Sequence, residues 1–122
     1  MARINSFREL EVWSLSMEQT IGVYRLTKQF PRTEQFGLTA QMRRCAVSIP
    51  ANIAEGHNRR SRRAYLNHVG IALGSLAELD TLVELSARLK FGEPSQTDDL
   101  QLTLARIGQM LHGLARSLDQ GS

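Results

Sequence analysis

Apolar residues recur at spacings of three and four along almost the whole chain, and no run of β-branched residues alternates with a period of two. This periodicity is typical of amphipathic α-helices and argues against strands. It is most regular near the carboxyl end, where spacings of four and three alternate as in the seam of a helical bundle. The residues of that seam are Leu100, Leu104, Ile107, Leu111, Leu114 and Leu118.

Glycine, proline and hydroxyl residues divide this pattern into four segments, which we predict as helices at about residues 7–29, 34–55, 62–90 and 96–119. Serine and threonine hydroxyls accept hydrogen bonds from the first amides of a helix, whereas glycine ends a helix in the left-handed conformation. The residues expected to start or end the four helices are Pro31, Thr33, Gly56, Ser61, Gly92 and the capping-box pair Ser95 and Asp98.

Connections of about two to six residues between such helices force successive helices to be antiparallel neighbours. We therefore predict one domain over residues 1–122, an all-α, antiparallel up-down-up-down four-helix bundle. The core stripe expected on helix one is Leu10, Trp13, Met17, Ile21 and Tyr24. The stripe expected on helix two is Leu38, Met42, Cys45, Ala46, Ile49 and Ile53.

Helix three carries more apolar residues than one core requires. The surplus residues, which lie off its main stripe, are Leu66, Ile71, Leu82 and Leu85. Such an excess usually marks a subunit interface. Gly74 with Ser75, opposite Gly70, predicts a close approach of another helix.

Helix two contains Pro50, which removes one backbone donor, leaves the carbonyl of Ala46 without its helical partner and predicts a kink. Beside its apolar stripe runs a polar stripe at spacings of three and four: Gln41, Arg44, Ser48, Asn52 and Glu55. One interpretation is a solvated face on which Ser48 or Asn52 satisfies groups loosened by the proline. The other is a recognition or subunit-contact face that continues into an arginine-rich turn.

The basic residues are concentrated in one segment. Residues 43–63 contain six arginines and one acid, Glu55, for a net charge of +5, whereas residues 1–42 carry +1 and residues 64–122 carry −3. The arginines are Arg43, Arg44, Arg59, Arg60, Arg62 and Arg63. A local excess of this kind attracts phosphate or an acidic protein surface.

A cytoplasmic location is expected. The single cysteine, Cys45, cannot form an internal disulfide and suits a reducing compartment. No apolar run approaches the length of a membrane span, and the sequence MARINSFREL lacks the apolar region of a secretory signal.

Three strings, FRELEVW, FPRTEQFGLTAQMRRCAVSIPANIAEGHNRRS and IALGSLAELDTL, resemble the four-helix-bundle proteins first known from reading frames in intervening sequences of bacterial 23S rRNA genes. A related branch includes the accessory variability determinant of diversity-generating retroelements, a basic pentamer that works with a reverse transcriptase and nucleic acid. The resemblance covers about residues 7–91. It implies a ring-like homopentamer without known catalysis.

The residues available for partners form the candidate site, which consists of Arg43, Arg44, Asn52 and Glu55 from the family pattern and of the adjacent cluster Arg59, Arg60, Arg62 and Arg63. A guanidinium group presents a planar donor fork to phosphate oxygens. No aromatic residue interrupts the basic segment before Tyr65, so RNA or DNA would be bound through its backbone with little sequence selectivity. The rival interpretation is a protein-protein scaffold, in which these arginines contact Glu78, Asp80 or Glu84 of a neighbouring subunit.

Enzymatic function finds less support in the residues. No Glu-x-x-His pair occurs, the three histidines lack the spacing of metal ligands, and no phosphate-binding glycine loop is present, so neither a metal nor a cofactor is expected. Arg63 and His68 form an Arg-x4-His pattern similar to that of the all-helical HEPN ribonucleases. Five residues apart on a helix, the two would point about 140° apart.

Overall fold

The computed structural model describes residues 6–120, and within that range the chain forms four α-helices and no strand. Helix α1 is Glu11–Thr27, α2 is Leu38–His57, α3 is Arg62–Arg88 and α4 is Pro94–Asp119. Single 3-10 turns occur at Phe7–Glu9 and Arg32–Glu34. Residues 1–5 and 121–122, which the predicted domain includes, lie outside the described residues.

Each helix packs against its neighbours in the chain, and α4 also packs against α1, so that the four surround one core. The stripes predicted for α2 and for most of α4 are confirmed. On α2 the buried apolar residues are Leu38, Met42, Cys45, Ala46, Ile49 and Ile53, and on α4 they are Leu100, Leu104, Ile107 and Leu111. None of the four helices is long and apolar enough to cross a membrane.

The stripe predicted for helix one is confirmed only at its start, where Leu10 and Trp13 pack against the core. Met17, Ile21 and Tyr24 are exposed, and α1 turns another face to the core. The buried residues on that face include Val12, Ser16, Gln19, Val23 and Leu26. Polar residues tolerate this burial because each finds an acceptor: the Ser16 hydroxyl donates to the carbonyl of Val12 at 2.7 Å, and Gln19 Nε2 donates to the carbonyl of Leu100 at 3.0 Å.

The helix ends agree with the sequence in part. The Ser61 cap is confirmed, since its hydroxyl accepts a hydrogen bond from the amide of Ala64 at 3.2 Å. Thr33 does not cap α2, because it lies in a 3-10 turn and α2 begins only after Gly37. The predicted capping box at Ser95 is also wrong, since α4 already begins at Pro94, which fits the first helical position because its missing amide would have no partner there.

Two predictions about glycines also change. Gly56 does not end α2 in the left-handed conformation, because the helix continues to His57. The chain turns with positive φ at Lys90 (61°) and Gly92 (78°), after α3. Gly70 and Gly74 have open space beside them, so no helix of the same subunit approaches them.

The surplus apolar residues of α3 separate into two groups. Leu82 is buried and belongs to the core, which corrects its assignment to a subunit interface. Ile71 and Leu85 are exposed, and Leu66 is partly buried. Hydrophobic spacing alone assigned Leu82 wrongly because it could not show how wide a stripe α2 and α4 cover.

The carbonyl of Ala46, which Pro50 deprives of its helical donor, has a partner from another helix. The Thr20 hydroxyl of α1 donates to it at 3.2 Å and also donates to the carbonyl of Ser16 at 2.8 Å. Pro50 itself is buried inside α2. A side chain on α1 therefore compensates for the proline in α2.

Candidate functional site

Four arginines meet at the junction of α2 and α3. The chain leaves α2 at His57 and is held by a hydrogen bond from the amide of Arg59 to the carbonyl of Gly56 at 3.0 Å. Ser61 then caps α3, which begins at Arg62. We call Arg59, Arg60, Arg62 and Arg63 the arginine turn; all four are exposed.

The arginine turn lies at the positive end of a helix dipole. Arg62 and Arg63 occupy the first turn of α3, and that turn contains no acidic residue. Cations near a helix N-terminus are unfavourable by a few tenths of a kcal/mol to about 1 kcal/mol each, whereas anions there are favourable. The local charge therefore suits an anionic partner.

The end of α4 adjoins the arginine turn, which the sequence did not reveal. A shallow cavity of about 470 Å³ is lined by Ser61, Arg62, Arg63 and Leu66 of α3 and by Leu118 and Asp119 of α4. Its two apolar lining residues, Leu66 and Leu118, are 52 residues apart in the sequence. Only the packing of α3 against α4 brings them together.

Arg43 does not belong to this surface. Its Nε donates to Thr27 Oγ1 at 2.9 Å, and its guanidinium lies 4.5 Å from the centre of the Tyr24 ring, a cation–π contact with α1. Arg43 precedes the end of α2 at His57 by fourteen residues, or about 21 Å at 1.5 Å per residue. The six arginines that are close in sequence therefore do not form one patch.

Arg44 lies in a separate open cleft between α2 and α3. The residues that line this cleft are Gln41, Arg44, Cys45, Ser48, Ser75 and Glu78. Glu78, which the sequence offered as a partner for arginines of a neighbouring subunit, thus shares a cleft with Arg44 of its own chain.

Within the polar stripe of α2, Ser48 and Asn52 pack against α3, whereas Gln41, Arg44 and Glu55 are exposed, so neither of the two interpretations of the stripe was complete. Ser48 Oγ lies 2.8 Å from Ser75 Oγ, and Asn52 Oδ1 lies 3.0 Å from His68 Nδ1. Asn52 Nδ2 donates to the carbonyl of Ser48 at 2.9 Å. Asn52 therefore links the two helices, and its side chain is occupied within the subunit.

Glu55 connects this network to the arginine turn. Its Oε1 accepts a hydrogen bond from Arg59 at 3.0 Å, and the same oxygen lies 4.0 Å from His68 Nε2. Glu55 and Arg59 are four residues apart in the sequence, but the sequence gave no signal for His68. That contact depends on how α3 lies against α2.

Cys45 is a core residue without the properties of a nucleophile. Burial, with a smaller contribution from the charge of Glu78, raises the pKa of its thiol to about 11. Its Sγ lies 2.9 Å from the carbonyl of Ser75. A thiol with this pKa carries almost no thiolate at neutral pH.

The remaining titratable groups do not gather into a metal centre. Within residues 6–120, no three histidine, cysteine, aspartate or glutamate side chains are close enough to hold a metal ion. Of the Arg-x4-His pair, His68 lies against Asn52, whereas Arg63 is exposed on the rim of the shallow cavity.

Several large apolar side chains remain exposed. Met17, Ile21 and Tyr24, at spacings of four and three, share one face of α1, which we call the α1 surface. Ile71 and Leu85, which are 14 residues apart and so lie on the same side of the helix, form an outer α3 surface with Leu89 at the C-cap. Phe36, just before α2, is 89% exposed. Exposed apolar residues in groups of this kind mark interaction surfaces.

Comparison with known proteins identifies relatives of the chain. A family model described as 23S rRNA-intervening sequence protein matches residues 8–113. The family resemblance seen in the sequence motifs is therefore confirmed, and the match extends over most of α4. No curated protein matches the chain.

The fold is similar to that of a solved protein from Bacteroides thetaiotaomicron. Its crystal structure is that of a protein with unknown function from the S23 ribosomal protein family. The two chains share 25% identity with a TM-score of 0.78, over 86% of this chain and 95% of the other. The likeness thus extends over nearly the whole helical domain.

Proposed function

Because the chain belongs to the 23S rRNA-intervening sequence protein family, we propose that it is a non-enzymatic, oligomeric accessory protein that associates with nucleic acid. The arginine turn binds the phosphate backbone of RNA or DNA, with little regard to base sequence. Cytoplasmic location is part of the proposal.

The observation that carries this proposal is the arginine turn itself. Four exposed arginines surround the N-terminus of α3; of the acids nearby, Glu55 pairs with Arg59, and Asp119 lines the cavity beside Arg62 and Arg63. An exposed pair at this spacing contributes only about 0.3–0.5 kcal/mol, so phosphate oxygens can compete for Arg59. Guanidinium groups and a helix N-terminus are both suited to phosphate.

We also propose that the subunit is an antiparallel up-down bundle that assembles into a ring, most simply a pentamer. The contacts support the antiparallel order: Thr20 and Thr27 of α1 meet Ala46 and Arg43 of α2 in reverse order. A cyclic assembly needs two different complementary surfaces on each subunit. The α1 surface and the outer α3 surface supply two apolar faces on separate helices.

A ring would repeat the arginine turn in every subunit. Once one arginine turn has bound a long polymer, the polymer is held at a high effective concentration near the arginine turns of the other subunits. A site of modest affinity can therefore bind a long polymer well. This supports a polymeric partner over a small anion.

The proposal is tested by measuring the affinity for unrelated RNA and DNA duplexes as a function of salt. We expect the wild-type protein to bind them alike, with log K falling against log salt at a slope of about −3 to −4 if four arginines meet phosphates. Replacing Arg59, Arg60, Arg62 and Arg63 by Ala should weaken binding to every sequence and flatten the slope by a similar amount. RNA recovered from the assay should be intact, because His68 is engaged with Asn52 and no nucleophile is activated nearby.

The matched control removes the same charge elsewhere. Changing Arg25, Arg32, Arg88 and Arg106 to Ala should leave most of the salt slope, since these exposed arginines lie away from the turn. No binding by the wild type at low salt would refute the proposal. Loss of the oligomer in the arginine-turn variant would instead favour a protein scaffold, in which these arginines contact a neighbouring subunit.

A further inference from the structure

The hydrogen bonds between α2 and α3 determine which nitrogen of His68 carries the proton. Asn52 Nδ2 lies 2.9 Å from the carbonyl of Ser48, which can only accept. The amide oxygen of Asn52 must therefore point to His68, 3.0 Å away, and His68 Nδ1 must donate. In the neutral ring, Nε2 is then the nitrogen without a proton.

This unprotonated nitrogen faces the carboxylate of Glu55. The distance from His68 Nε2 to Glu55 Oε1 is 4.0 Å, and the same oxygen accepts the hydrogen bond from Arg59 at 3.0 Å. In the neutral state two acceptors face each other, and Arg59 alone neutralises the carboxylate. A proton on Nε2 converts this contact into an ion pair and gives Glu55 a second cationic partner.

His68 is sheltered, and few other ionisable groups face it. Its side chain is 14% exposed. From α2, Glu55 faces His68, and Arg59 lies on the other side of Glu55. On α3, Tyr65 lies about one turn before His68, and both side chains border Gly56. His57 of α2 contacts the edge of the Tyr65 ring, with centroids 5.9 Å apart.

We propose that His68 and Glu55 make the arginine turn a pH-responsive phosphate site, which binds nucleic acid more tightly as the solution is acidified. A proton on His68 Nε2 gives Glu55 a second cationic partner, which weakens the hold of Glu55 on Arg59 and adds one positive charge beside the turn. The inference rests on the proposed function, since it concerns the regulation of the same site.

The test measures binding of one duplex at pH 8.0 and pH 5.5 at fixed salt. Relief of a competing pair worth about 0.3–0.5 kcal/mol, together with one added positive charge beside the turn, predicts about two- to threefold tighter binding at pH 5.5 near 0.1 M salt. His68→Gln should bind at pH 5.5 as it does at pH 8.0. Glu55→Gln should bind at pH 8.0 within about twofold of the acidified wild type, because Arg59 is then free at both pH values.

His57→Gln and His112→Gln are the matched controls and should keep the wild-type response. Helical circular dichroism at both pH values shows whether each variant remains folded. A response that persists in His68→Gln, or that disappears in His57→Gln, would overturn the inference. Binding with no pH response would also overturn it while leaving the proposed function intact, whereas no binding at either pH would refute the proposed function.

Nitrogen NMR of the histidine rings provides a measurement that does not depend on nucleic acid. At pH 8.0 we expect His68 to carry its proton on Nδ1 and to show an unprotonated Nε2. A proton on Nε2 at that pH would contradict the hydrogen-bond geometry from which the inference follows.

Discussion

At the scale of single residues, Gly56 is needed for packing between helices and not, as the sequence suggested, for ending α2. A Cβ atom at this position would lie 2.8 Å from His68 Cβ and 3.0 Å from Tyr65 Cδ1. The glycine is therefore required by the close approach of α3 to α2. That approach also brings His68 within reach of Asn52.

We expect Gly56→Ala to lower the free energy of unfolding by about 1–3 kcal/mol, because the added methyl group must push the two helices apart. Chemical denaturation followed by circular dichroism measures the change. Gly74→Ala is the control: it has open space beside it, and alanine is the better helix former, so stability should rise by up to about 1 kcal/mol. Equal effects of the two substitutions would contradict the packing argument.

At the scale of helices, α1 is the element that sequence patterning predicted least well. It has an apolar stripe that faces outward and a mixed stripe that faces the core. Hydropathy favours the wrong stripe because it assigns Ser16, Gln19 and Thr27 a cost of burial that hydrogen bonds from their side-chain donors reduce. Thr27, for example, donates to the carbonyl of Val23 at 2.8 Å.

The contact between Thr20 and the Ala46 carbonyl predicts an energetic coupling between α1 and Pro50. Thr20→Val should lower the free energy of unfolding by about 1 kcal/mol, the usual contribution of one hydrogen bond. In a Pro50→Ala background the loss should be smaller, since the new amide of residue 50 can donate to the same carbonyl.

A double-mutant cycle by urea denaturation measures this coupling, which we expect at about 0.5–1 kcal/mol. Thr81→Val is the control, since its hydroxyl donates to the carbonyl of Ala77 in its own helix. Additive effects of Thr20→Val and Pro50→Ala would show that Thr20 does not compensate for the proline.

At the scale of the whole molecule, the exposed apolar residues divide between two helices. Ile21 is 50% exposed on α1, and Leu85 is 44% exposed on α3. If one subunit's α1 surface contacts the next subunit's outer α3 surface, the contact is head-to-tail and repeats around a ring. The charged residues of the arginine turn then remain at one end of each subunit.

Light scattering should therefore give about five times the 13.7 kDa mass of the chain. Either Ile21→Glu or Leu85→Glu should reduce that mass, because each places a charge in an apolar contact. Gln109→Glu, on an exposed polar position of α4 outside both surfaces, should preserve it. A monomeric wild-type protein at micromolar concentration would rule out the ring.

The positions of the four helices and the core faces of α2 and α4 followed from the sequence. Spacing and breaking residues such as Pro31 act within a few residues, so a linear pattern contains the necessary information. The concentration of arginines was also visible, as was the family resemblance. The sequence likewise predicted the Ser61 cap, which depends on one short hydrogen bond.

Tertiary structure alone decided the face that α1 buries, the separation of Arg43 from the arginine turn, and the meeting of His68 with Glu55. Each depends on contacts between helices, where hydrogen bonds and shape determine rotation and register. Residues adjacent in sequence, such as Arg43 and Arg44, point in different directions on a helix and meet different neighbours. A count of charges along the chain contains no information about those directions.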